Sequence, residues 1–67
     1  MKKKRDWLKK IRKELSLSQT DVAKELNISR SHYACIENGI RNPSMKLAER
    51  ISELLKFDFS RFKNSLL

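Results

Sequence analysis

The residues best suited to recognition chemistry lie close together between positions 29 and 41. Ser29, Arg30, Ser31 and His32 open a short helical pattern, Cys35 follows one turn later, and Asn38 and Arg41 come at and just beyond its end. Arginine supplies a planar fork of donors, and serine, asparagine and histidine add single donors and acceptors. Such a set holds an acceptor-rich or anionic surface; it does not make or break bonds. No pair of carboxylates, no nucleophile with an adjacent base and no metal-ligand cluster accompanies it, so an enzyme is not expected. With one Cys and one His in the chain, no internal disulfide can form, and neither a metal nor a cofactor is expected.

Those residues need elements to position them. A first helix is expected over about Asp6 to Leu15, with Trp7, Leu8, Ile11 and Leu15 as its apolar stripe and Lys9, Lys10, Arg12 and Lys13 around the rest. Ser18 is a good N-cap for a second helix, and Asp21 sits in the first turn, where the helix dipole favours an acid. Val22, Ala23 and Leu26 form its inner face. Asn27 tolerates the left-handed conformation of a sharp exit, and Ile28 anchors the turn. Ser29 caps the third helix, Tyr33 and Ile36 point inward, and Asn38-Gly39 stops it. Asn42-Pro43-Ser44 reads as a loop and a cap. A fourth helix follows over about Met45 to Leu55, burying Leu47, Ala48, Ile51, Leu54 and Leu55. A last helix, about Ser60 to Leu66, offers Phe62 and Leu66, with Phe57 and Phe59 just before it. No alternating strand pattern, phosphate loop or repeat is present. The expected fold is all-α, a compact bundle of five short helices in one domain, 6–67, behind a basic arm, 1–5.

Composition agrees with one small folded body. At 67 residues, 39% apolar and 36% charged, the chain suits a single modest core rather than disorder. No apolar run approaches the ~20 residues of a membrane span, and no leader-like segment follows the charged start, so a cytoplasmic protein is expected. The net charge is +8. Residues 1–15 hold eight basic and two acidic residues (+6), and residues 16–67 hold eight and six (+2). A polyanion partner follows, although charge alone does not separate DNA, RNA and anionic lipid. The stretch "KKKRDWLKKIRKEL" has the form of a basic amphipathic surface segment. Its apolar residues are needed by the core, so no membrane partner is expected.

Two short helices over about 19–38, joined by a tight turn, form a helix-turn-helix unit. In such a unit the first helix crosses the DNA backbone and the second enters the major groove. Small residues at Ser31, Ala34 and Cys35 let the helix backbone approach base edges, and an arginine at Arg30 can grip a guanine with two bonds. The motifs "LKKIRKELSLSQTDVAKEL", "NISRSHYACIENGIRNPS" and "LAERISELL" carry a wider likeness. From Leu8 to about Phe62 the chain resembles the Cro/repressor helix-turn-helix family of phage-type (XRE-type) transcriptional regulators.

That resemblance implies a sequence-specific regulator of double-stranded DNA, expected to be a repressor that binds a two-fold operator as a homodimer. It implies base contacts from Arg30, Ser31 and Cys35. It implies phosphate contacts from Gln19, Ser29, His32, Asn38 and Arg41, with Gln19 also bracing helix 3. It implies an internal ion pair between Arg12 and Glu37. The chain departs from the family pattern where Asn27 replaces a frequent glycine and where Cys35, a poor hydrogen-bonding group, replaces a longer polar residue. The rival reading is a DNA-binding antitoxin or protein-interaction module that uses the same fold, with a regulatory protein as partner.

Overall fold

In the computed structural model, which describes residues 4–62, three serines start three of the helices. Ser18, Ser29 and Ser44 each accept a hydrogen bond on Oγ from the amide three residues on, at 3.0, 3.0 and 3.1 Å. These bonds satisfy donors that a helix start otherwise leaves unpaired. At Ser18 the cap is reciprocal, since its amide donates to Asp21 Oδ2 at 2.9 Å, forming a capping box. The helices are α1 (Asp6–Glu14), α2 (Gln19–Leu26), α3 (Arg30–Glu37) and α4 (Met45–Leu55). The chain is helical again at 60–62, a fifth helical stretch. No strand occurs among the described residues. The expected contribution of Leu66 lies outside them.

The helix ends follow from local chemistry. Gly39 sits at φ 72. That bend lets the Gly39 amide donate to Ile36 O and the Ile40 amide to Cys35 O, the double closure of a Schellman end. Asn27 takes φ 58 and closes α2 in the same way, through Ile28 N on Ala23 O. Ser16 and Lys56 also adopt φ 59, a conformation that is unfavourable for a residue with a Cβ. The turn at Ser16 corrects one expectation. Helix α1 stops at Glu14, and Leu15 is carried off the apolar stripe to 40% exposure. Leu17 packs against the core in its place.

Every helix contributes to one core. Leu8 comes from α1; Val22, Ala23 and Leu26 from α2; Tyr33 and Ile36 from α3; Ala48, Ile51 and Leu55 from α4; and Phe62 from the last segment. Helix α2 packs against α3 and α4, and α1 packs against α3. Arg50 on α4 donates to Leu26 O at 3.2 Å and Glu25 O at 3.4 Å, tying the C-terminal end of α2 to α4. Trp7 meets the edges of Phe57 and Phe62, with ring centroids 5.3 and 5.4 Å apart. The two ends of the described chain therefore close on each other, next to the core.

Candidate nucleic-acid interface

Helix α3 has two unlike sides. Tyr33 and Ile36 are fully buried. Arg30 and Ser31 are exposed, His32, Ala34 and Cys35 are half-buried, and Asn38 at the helix end and Arg41 beyond it are exposed. Residues three and four apart share a helix face, so Arg30, Ala34 and Asn38 form one outward row and Ser31 and Cys35 flank it. Ser29 Oγ is already engaged as cap acceptor for the His32 amide, which leaves its hydroxyl hydrogen to donate elsewhere. The carbonyl of Cys35 accepts from both the Ile40 and Arg41 amides, at 2.9 and 3.2 Å. This turn sets the place from which Arg41 leaves the helix end.

An internal ion pair fixes α3 from behind. Arg12 Nε donates to Glu37 Oε2 at 2.6 Å, Nη2 donates to Oε1 at 3.3 Å, and Nη1 donates to Leu17 O at 2.7 Å. The two side chains are only 6% and 2% exposed. Gln19, in the first turn of α2, donates from Nε2 to Glu37 Oε1 at 3.2 Å. One carboxylate at the end of α3 thus gathers donors from α1 and α2. Burial alone would raise the Glu37 carboxyl, but the bonds from its neighbours outweigh it and hold the group below the usual carboxylate range. The bond to Glu37 raises Arg12 in turn. Burial and then the nearby carboxylate push the Tyr33 hydroxyl upward, so it remains neutral. That hydroxyl is buried and has no partner at hydrogen-bonding geometry.

Arg5, the last residue of the basic run, is 2% exposed. Its amide donates to Glu37 O at 2.7 Å. Its guanidinium donates to Ile36 O at 2.6 Å, Arg41 O at 3.3 Å and Asn42 Oδ1 at 2.7 Å. The Phe62 ring lies 5.7 Å from its centre. Carbonyls at a helix C-terminus attract such a cation. Nothing in the run Lys2-Lys3-Lys4-Arg5 marks its last member as different. Lys4 is exposed, and Lys2 and Lys3 lie outside the described residues.

No helix of the described residues is long and apolar enough to cross a membrane. None of their His, Cys, Asp and Glu side chains cluster in a way that could hold a metal ion.

A two-helix unit with a braced inner side and a polar outer side defines the helix-turn-helix class, and a helix-turn-helix family model matches residues 8–62. The chain belongs to this family of DNA-binding transcriptional regulators. It is 47% identical over 58 residues to YqaF, an uncharacterized HTH-type transcriptional regulator of Bacillus subtilis (strain 168), covering 87% of this chain and 76% of that one. It is 43% identical to the ImmF control region 10 kDa protein of Bacillus phage phi105, covering 84% of this chain and 62% of that one. It is 40% identical to the immunity repressor protein of the same phage, covering 79% of this chain and 37% of that one. The chain therefore spans less than two thirds of either phage protein. No solved structure matches it.

Proposed function

We propose that this protein is a sequence-specific repressor that binds double-stranded DNA as a homodimer, with α3 in the major groove of each half of a two-fold operator. The observation that carries this reading is the exposure of Arg30 and Ser31 on α3, of Asn38 at its end and of Arg41 just beyond it, while Tyr33 and Ile36 on the other side of the helix are buried in the core. The names of the phage relatives, a control-region protein and an immunity repressor, support it. Arg30 takes a base edge, with Ser31 beside it. Cys35 approaches closely but offers only a weak donor. Gln19, Ser29, His32, Asn38 and Arg41 hold phosphates. Because one such unit reads only a few base pairs, two copies on half-sites ~34 Å apart supply the specificity. The protein works in the cytoplasm, where its DNA is.

Selection of bound sequences from random duplex DNA tests the proposal. The expected result is a two-fold consensus with half-sites about one helical turn apart. Recovery of no preferred sequence, or of one without symmetry, counts against it.

A further inference from the structure

Arg5 holds the segment 38–41 at both of its ends. On the helix side, its amide and guanidinium bond Glu37 O and Ile36 O; on the loop side, the guanidinium bonds Arg41 O and Asn42 Oδ1. The segment's own amides all bond back to α3, Asn38 N to Ala34 O, Gly39 N to Ile36 O, and Ile40 N and Arg41 N to Cys35 O, so none of these bonds reaches the loop side. Phe62 covers the guanidinium from behind. The fork is thus fixed between the last helical segment and the loop. The guanidinium spreads its donors over a planar fork, so that Nη1 and Nη2 serve acceptors on both sides of the segment; a lysine ammonium gathers its three donors at one point on a flexible stem.

We propose that Arg5 is a positioning residue for DNA binding. It clamps the end of α3 to the loop after it and so sets where Asn38 and Arg41 stand when a duplex arrives. The consequence for binding rests on the DNA-binding reading above; the clamp itself rests on the bonds alone.

The test uses the full chain with Arg5→Lys, which keeps the charge and loses the fork. A second variant, Asn42→Ala, removes one clamp bond from an exposed position. Ile51→Val serves as a control that weakens the core away from the loop. Two readouts are taken: amide hydrogen exchange, and titration of the selected duplex over a range of salt. In Arg5→Lys, exchange at Ile40 and Arg41 rises at least tenfold beyond any change at Val22. Affinity falls at least tenfold at a temperature where the variant is folded, and the salt slope flattens by about one phosphate contact, roughly 0.9 in log–log units. Asn42→Ala moves both readouts in the same direction, and Ile51→Val leaves the slope unchanged. Exchange at Ile40 and Arg41 that changes only in step with Val22 overturns the clamp. A loosened loop with an unchanged salt slope overturns the positioning role. If Arg5→Lys does not fold, Asn42→Ala decides by the same two readouts, and no change in either overturns the proposal. Failure of the unmodified protein to bind any duplex removes the functional reading and the binding role of Arg5 with it; the exchange data then judge the clamp separately.

Discussion

Replacing Arg12 with methionine should damage the fold more than replacing Arg12 and Glu37 together. The structure explains why. Arg12 gives Glu37 two bonds, at 2.6 and 3.3 Å, and without them the carboxylate keeps only the Gln19 amide at 3.2 Å. A buried charge that has lost its partner costs about 3–5 kcal/mol. A domain of this size has a total stability of roughly 3–10 kcal/mol, so Arg12→Met alone approaches unfolding. Glu37→Leu is milder, because Arg12 keeps its bond to Leu17 O, and a charged hydrogen bond of about 1.5–3 kcal/mol offsets part of the cost of stranding the guanidinium. The double variant leaves no stranded carboxylate and should be more stable than Arg12→Met. Urea unfolding followed by far-UV circular dichroism and Trp7 fluorescence measures all four proteins, with sucrose added to keep the weakest one folded. If the double variant loses the sum of the two single losses, the pair is not coupled and the account of how α3 is braced is wrong.

The same pair sets an acid limit. The Glu37 carboxyl is depressed in the folded protein. Its contribution is therefore fully present above the unfolded carboxylate value of about 4.3, and is lost as pH falls through the lower folded value. Stability of the unmodified protein should fall more steeply below about pH 5 than that of the double variant.

Three further outcomes are expected. Arg30→Ala should weaken binding to the selected duplex by about 1–3 kcal/mol, or ~5–150-fold, with an unchanged melting temperature, since Arg30 is exposed; equal affinity in a titration removes it from the interface. Ser16→Gly should raise stability by up to about 1 kcal/mol, and the melting temperature by several degrees, because Ser16 stands at φ 59; a lower melting temperature contradicts that reading of the turn. Ser18→Ala should lower stability by about 1 kcal/mol by removing the acceptor for the Asp21 amide, and a neutral result in calorimetry shows that the cap has no net effect.

What could be read from the sequence was what neighbouring residues decide. Serine caps, the left-handed Asn27 and the stop at Gly39 each depend on a few adjacent positions, and the helices begin and end near where those residues stand. The inward pair Tyr33 and Ile36 follows from helical spacing, and so does the outward side they leave free. Long-range chemistry was hidden. Arg5 looks like one more residue of a lysine run, yet its partners lie 31 to 37 positions away. Arg50 gives no sign in its own helix that it will meet the carbonyls of α2, 24 and 25 positions back. Arg12 lies among lysines on α1, and only the family resemblance linked it to Glu37. Leu15 misled for the opposite reason: the periodic pattern continues for one residue past Glu14, where the helix ends and the backbone enters the turn at Ser16.

The net charge of +8 is therefore a poor measure of the surface that meets DNA. The chain has six arginines, at positions 5, 12, 30, 41, 50 and 61. Arg5, Arg12 and Arg50 direct their forks at internal carbonyls or a carboxylate, and Arg61 lies 5.0 Å above the Trp7 ring. The remaining two, Arg30 and Arg41, are exposed, one at the start of α3 and the other just beyond its end. This division has a physical cause. A planar fork can satisfy several carbonyls at a crowded helix end, whereas a lysine adds charge to a solvated face without fixing anything. Arginine here mainly builds the scaffold, and lysine mainly sets the field around it. Substituting internal arginines should therefore change stability and geometry, while substituting surface lysines should change the salt dependence of binding and leave the fold as it is.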